Sequence, residues 1–135
     1  SAVRSTGAMI RRSMWLAALL PAAGAACTPA LHGHGVGTIE GERHVVAWRA
    51  PAPLPLAQFF AIDFAACARD GSAVKTARVD ATMPEHGHGM NYRPTVQPLG
   101  NGRFRADGLL LHMPGRWQLA FAVGGETLRA ALNVD

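Results

Sequence analysis

The sequence RWQLAFAVGGETLRAALNV, residues 116–134, predicts two antiparallel strands joined by a tight turn. Four apolar residues share one phase of its first half: Trp117, Leu119, Phe121 and Val123. Gly124-Gly125 is a typical two-residue hairpin turn. After the turn, the inward phase is continued by Leu128, Ala130, Leu132 and Val134. Because successive side chains of a strand point to opposite faces, both strands present one face to a core.

Five more apolar runs precede this hairpin, and Gly-, Pro- and Asp-containing turn signals separate them. The runs are residues 44–49, 57–68, 74–83, 95–99 and 103–112. A glycine within a strand suggests a bulge, so Asp107-Gly108 predicts a bend in the last run. Lys75 falls on the apolar phase of its run and is expected at an exposed strand beginning. About seven short strands, with no long 3.6-residue pattern, predict an all-β fold, an immunoglobulin-like antiparallel β-sandwich over residues 43–135.

The first 26 residues have the order of a secretory signal behind a short upstream extension, residues 1–8. Two arginines follow Met9, residues 14–20 are mostly apolar, and small residues lead into Cys27. The apolar run is shorter than the roughly 20 residues that span a bilayer. The segment therefore predicts export from the cytoplasm.

Small residues before Cys27 are similar to the bacterial lipobox, although Gly24 stands where leucine is usual. We expect Cys27 to be lipidated and the protein to be periplasmic and anchored to the bacterial cell membrane. The alternative is ordinary cleavage nearby that leaves Cys27 as a thiol. If Cys27 is acylated, Cys67 has no intramolecular partner and is expected to be a buried small hydrophobe.

Residues 27–42 contain Gly, Pro and His without periodicity and predict a flexible tether. His32 and His34 surround a glycine there and could hold a metal loosely, but a solvated linker is the favoured interpretation.

The net charge of +4 does not indicate a nucleic-acid partner. Arg4, Arg11 and Arg12 belong to the predicted signal, and without them ten basic groups face nine acidic ones. The sequence also has no recognisable catalytic triad, phosphate-binding glycine loop or carboxylate pair, so we do not expect an enzyme.

Residues 83–90, MPEHGHGM, contain two methionines, two histidines and two glycines within eight positions. Thioether and imidazole are ligands that copper selects. Glycines between the histidines allow both rings to converge. The candidate ligands of a copper ion are Met83, His86, His88, Met90 and Met113. His112 is a weaker candidate because strand phase points it away from Met113.

Strand parity places the two methionine-containing connections together. Each strand of a sandwich crosses from one end to the other, so the third-to-fourth and fifth-to-sixth connections share an end with the first, Pro-rich connection. That end should point away from the tether.

A metal-free interpretation of the same residues stays open. Met83 and Met113 continue the inward phase of a strand, so a core position is favoured for each considered alone. Zinc is less expected, because structural zinc prefers four Cys or His ligands. Glu85 could accept a hydrogen bond from an imidazole, but a solvated charge is the simpler interpretation. If these residues bind no metal, the chain is expected to be an interaction module of the cell envelope.

Three segments resemble the YtkA-like domains and the related FixH-like proteins. They are residues 81–90 (ATMPEHGHGM), residues 102–104 (GRF) and residues 111–117 (LHMPGRW). The resemblance covers roughly residues 57–134. It implies an immunoglobulin-like sandwich on the outer face of a bacterial membrane and a metalloprotein or oxidase-assembly partner. The chain differs from FixH-like proteins in having a lipobox-like signal where they have a transmembrane helix.

Overall fold

The computed structural model describes residues 2, 7, 9–10, 13–17 and 26–135. The predicted signal therefore lies largely outside the described residues. The described part contains nine strands and is all-β, as predicted. The strands are β1 (Gly37–Glu40), β2 (His44–Arg49), β3 (Phe60–Ala68), β4 (Ala77–Met83), β5 (His88–Gly89), β6 (Thr95–Gly100), β7 (Arg103–Leu109), β8 (Gly115–Val123) and β9 (Glu126–Val134). Helices with the length and hydropathy to cross a membrane are not found among these residues.

Two antiparallel sheets pack face to face. One has the order β1-β2-β3-β7-β6 and the other the order β5-β4-β8-β9. Without the outer strands β1 and β5, the sheets have the four-plus-three strand order of an immunoglobulin constant-type domain. The predicted immunoglobulin-like sandwich is confirmed, and its seven expected runs correspond to β2, β3, β4, β6, β7, β8 and β9.

The hairpin of β8 and β9 supplies a large part of one wall of the core. Its register runs from Gly115 opposite Val134 to Val123 opposite Glu126. Both turn glycines have positive φ, 54° and 80°, as a tight hairpin turn of this kind requires. Trp117 is fully buried. Phe64 of the other sheet lies 5.1 Å from Phe121, measured between ring centroids, so aromatic side chains join the sheets.

A bulge ends β7 earlier than the sequence predicts. Phe60 pairs with Leu109 and Ile62 with Ala106, so three steps of β7 match two steps of β3. Gly108 has a φ of 86°, a conformation that favours glycine. The predicted bend is confirmed, but the expected strand to residue 112 is wrong. The chain leaves the sheet after Leu109, which frees residues 110–114 to follow a different path.

The flexible tether predicted for residues 27–42 is wrong for much of that segment. Gly37–Glu40 form β1, which pairs with β2. Leu31 is buried over Ala47 and Ala65, which are cross-strand partners on the outer face of β2 and β3. Two alanines side by side leave a shallow apolar surface, and burying Leu31 there removes it from water.

Cys67 also differs from the prediction. It forms a disulfide with Cys27, with Cα atoms 6.1 Å apart, and is half-buried. The expectation of a buried residue without an intramolecular partner, which depended on lipidation of Cys27, is therefore not met in this structure. Cys67 lies on the outward phase of β3, where the N-terminal segment crosses the sheet. Lipidation of Cys27 stays a prediction. A lipid thioether would use the same sulfur as the disulfide, so one molecule cannot carry both.

Candidate functional site

A tight turn in residues 84–87 brings the first histidines back to the sheet. The backbone N–H groups of His86 and Gly87 both donate to the carbonyl of Met83, at 3.1 and 3.0 Å. Gly87 has a φ of 66°. Met90 then donates its N–H to the carbonyl of Ala81 at 3.2 Å. The turn and the short strand β5 therefore hold the segment against the edge of β4.

The register of β5 determines which side chains face inward. His88 is the cross-strand partner of Met83, so both side chains lie on the same face of the sheet. Met83 is only 1% exposed and belongs to the core. His88 is half-buried and His86 is exposed. The core therefore ends at Met83, and the imidazoles begin beyond it.

The connection between β7 and β8 supplies a third imidazole. His112 lies 5.2 Å from His88 between ring centroids. Trp117 contacts both rings edge-on, at 5.4 Å from His112 and 5.9 Å from His88. The indole Nε1–H donates to the carbonyl of Met113 at 3.0 Å. Trp117 thus supports the rings and fixes the loop that carries Met113.

The spacing of neighbouring rings agrees with coordination of one ion by two imidazoles. His86 and His88 are 5.7 Å apart, so three imidazoles form a row, His86–His88–His112. Two imidazoles bound to one ion at about 2.0 Å have centroids roughly 5 Å apart at a tetrahedral angle. Each neighbouring pair is therefore close to the separation of two ligands on one ion.

His112 has a nitrogen that lacks a partner. Its Nδ1 is buried and forms no hydrogen bond with any described residue. A buried polar group left in this state costs about 1–3 kcal/mol. A bound cation or a water molecule would remove that cost.

Carboxylates do not contribute to this cluster. Among the described residues, no three His, Cys, Asp or Glu side chains are grouped so that they could hold one metal ion. Glu85 is exposed in the turn. A metal at this end would therefore use two imidazoles with thioethers or an open position. Met90 and Met113 are partly buried and pack at the edge of the core.

The placement predicted by strand parity agrees with the structure. The two methionine-containing connections meet through His88 and His112. The Pro-rich connection joins them, because Ala57 donates its N–H to the carbonyl of Leu111 at 2.8 Å. Cys27 is bonded near the other end of β3. The cluster therefore points away from the attachment of the N-terminal segment.

His112 lies beside His88, a placement that the strand phase does not predict. Its phase was counted along a strand that was expected to continue to residue 112, whereas β7 ends at Leu109. Pro114 is the sequence signal for this break, because proline cannot donate to a strand ladder.

The carboxylates with shifted pKa values lie at the opposite end of the sandwich. Asp70 follows β3, and Glu126 begins β9. The hydroxyl and N–H of Ser72 lower the pKa of Asp70. This end is therefore separate from the imidazole row.

Comparison of the chain with family models, with curated proteins and with solved structures finds no match. The function is therefore inferred from the residues of the site.

Proposed function

We propose that the protein binds or delivers copper in the bacterial cell envelope. The observation that carries the proposal is the row His86–His88–His112, with neighbouring centroids 5.7 and 5.2 Å apart. Met90 and Met113 lie on the same two segments, half-buried. Imidazole nitrogen and thioether sulfur together are ligands that copper prefers.

The burial of the methionines divides the candidate ligands. Met83 is packed in the core, so a structural role is favoured for it. His86, His88, Met90 and Met113 stay in the proposed set, and His112 joins them because its buried Nδ1 has no other described partner.

The cellular setting is also proposed. Export, a lipid on Cys27 and a metalloprotein or oxidase-assembly partner are implied by the signal-like sequence and by the resemblance to YtkA-like and FixH-like proteins. The position of the cluster at the end far from Cys27 supports this setting, because it leaves the site accessible to a soluble domain.

Titration of the purified protein with Cu(I) and with Cu(II) tests the proposal. The double variant His86→Ala/His88→Ala should lose at least tenfold in copper affinity. The matched control is His32→Ala/His34→Ala, which removes a second exposed His-Gly-His sequence and should leave the affinity unchanged. Equal affinity of parent and His86→Ala/His88→Ala would show that the site is assigned wrongly.

A metal-free interaction module is the second candidate. It is favoured by the exposed pair Phe59 and Tyr92, which are 60% and 48% exposed with centroids 5.0 Å apart. Aromatic side chains are enriched where proteins meet. A ligand that binds only the folded state raises the melting temperature, so an unchanged melting temperature with copper would favour this candidate.

A further inference from the structure

The row of imidazoles offers a cation no negative charge. The candidate ligand atoms at this end are imidazole nitrogens and thioether sulfurs, and the indole of Trp117 lies against the rings of His88 and His112. Glu85 is the one carboxylate of the two segments, residues 84–90 and 110–114, and it is exposed. An ion bound against Trp117 would therefore lose hydration without gaining a counter-charge.

This environment discriminates by ionic charge. The free-energy cost of moving an ion from water into a less polar site rises with the square of its charge, so it is roughly fourfold smaller for a monovalent than for a divalent ion. A divalent ion would need stronger coordination at this site to offset its larger cost.

The number of ligands favours the same class of ion. Soft monovalent cations form stable complexes with two or three ligands, whereas Cu(II) and Zn(II) usually take four or more. The described residues contain no triad of His, Cys, Asp or Glu suited to one metal. They contain neighbouring imidazole pairs, together with the half-buried thioethers of Met90 and Met113.

We propose that the pair His88 and His112, with the thioether of Met113, selects a soft monovalent cation, Cu(I) or its redox-inert analogue Ag(I), over Cu(II) and Zn(II). The inference rests on the proposed metal-binding function and adds the charge and softness of the ion. Nδ1 of His112 is the nitrogen available to such an ion, since it is the buried side-chain nitrogen without a partner among the described residues.

The test compares four ions on the full chain in its oxidised form. Ag(I), Cu(I) under anaerobic conditions, Cu(II) and Zn(II) are titrated separately against chromophoric chelators, and the melting temperature is followed for each. We expect Ag(I) and Cu(I) to bind at one equivalent and at least a hundredfold more tightly than Zn(II). Only these two ions should raise the melting temperature.

Two variants and one control locate the bound ion. Met113→Leu keeps the volume of the side chain and removes the thioether, so it should weaken Ag(I) binding at least tenfold in a folded protein. His112→Phe should do the same. Cys27→Ser/Cys67→Ser removes the disulfide, whose sulfurs would compete for Ag(I) if they were reduced, and its affinity should equal that of the parent.

The outcomes separate the two proposals. Zn(II) or Cu(II) binding as tightly as Ag(I), at a centre sensitive to His86→Ala/His88→Ala, would overturn the monovalent selectivity and leave metal binding standing. Absence of binding by all four ions would overturn both. Loss of Ag(I) binding in the double serine variant would move the site to the cysteines and overturn the assignment.

Discussion

The imidazole of His112 combines good packing with poor hydrogen bonding. Its ring lies against Trp117 and His88, yet its Nδ1 has no partner among the described residues. Replacing an unsatisfied buried polar group by an apolar group of similar shape is nearly neutral or stabilising. We therefore expect an apolar substitution at His112 to keep or raise stability while it weakens ligand binding.

His112→Phe should keep or raise the free energy of unfolding, by up to about 1 kcal/mol, because phenylalanine fills the same space without a buried nitrogen. The same variant should lose the rise in melting temperature that a bound ion produces. Urea denaturation measures the first effect, and thermal unfolding with and without Ag(I) measures the second. A loss of stability well above 1 kcal/mol would mean that Nδ1 has a partner in solution.

Met83, in contrast to His112, is an apolar core residue whose truncation should destabilise the fold. It is 1% exposed, and its methyl carbon would lie 3.0 Å from a Cβ at Gly115, so the space around it is closely packed. Met83→Leu conserves volume and should cost less than about 1.5 kcal/mol, whereas Met83→Ala should cost about 2–5 kcal/mol.

Copper titration of Met83→Leu then separates core from ligand. We expect an unchanged affinity, because the thioether lies beneath the imidazoles in the core. A tenfold decrease in this conservative variant would instead identify Met83 as a ligand.

Among the elements, the N-terminal segment depends on the disulfide for its position. Cys27 and Cys67 are 40 residues apart in the sequence, and a closed loop of that length stabilises the folded state by about 4 kcal/mol in the chain-entropy model. Leu31, buried over Ala47 and Ala65, adds an apolar contact to the same segment. We expect Cys67→Ser to lower the free energy of unfolding by about 2–4 kcal/mol. Urea denaturation of oxidised parent and variant measures the difference.

Intact mass of the membrane-extracted protein decides what Cys27 carries. A disulfide removes two hydrogens, whereas lipidation adds an acylated glyceryl thioether to the same sulfur. If the disulfide prevails in the parent, Cys67→Ser should increase the acylated fraction. An acylated parent with a free Cys67 would show that the lipid displaces the disulfide.

The elements that the sequence predicted have a two-residue periodicity or an apolar run bounded by turn signals. The run at residues 44–49 coincides with β2, and the predicted boundaries of β8 and β9 agree with the structure to within one residue. The two missed strands are short: β1 has four residues and β5 has two. Strands this short are formed by pairing with β2 and β4, so their own sequences carry little periodic signal.

The site was predicted as far as strand parity allowed. Parity brought His86, His88 and Met113 to one end, because it depends only on the number of strands. His112 depended on where β7 ends, and that is decided by the bulge at Gly108 and by the hydrogen bond from Ala57 to Leu111. Interactions between distant segments of this kind have no local sequence pattern.

At the scale of the whole molecule, Glu126 joins the two sheets at the end far from the imidazoles. Its carboxylate accepts hydrogen bonds from the N–H of Glu42 at 2.9 Å and of Arg43 at 3.2 Å, and it lies 3.0 Å from Nδ1 of His44. These partners flank the beginning of β2, whereas Glu126 begins β9. The contacts therefore connect the first sheet to the second.

The same contacts make stability depend on acid pH. Burial raises the pKa of Glu126, but the hydrogen bonds from His44, Arg43 and Glu42 outweigh it and lower the pKa below its ordinary value. A carboxyl with a lowered folded-state pKa contributes stability that is present above its unfolded pKa. That contribution is lost as the pH falls through the folded value.

Glu126→Gln should therefore be less stable than the parent at pH 7, and the difference should shrink once the pH falls below about 4. Urea denaturation from pH 7 to pH 3 measures it. Asp70→Asn is the matched control, because Asp70 also has a lowered pKa but is exposed and bonded only to Ser72 two residues away. Its effect should be smaller, since solvent screens an exposed charge. The difference in the free energy of unfolding between parent and Glu126→Gln could instead stay constant down to pH 3. That result would show that the charge of Glu126 does not contribute to joining the two sheets.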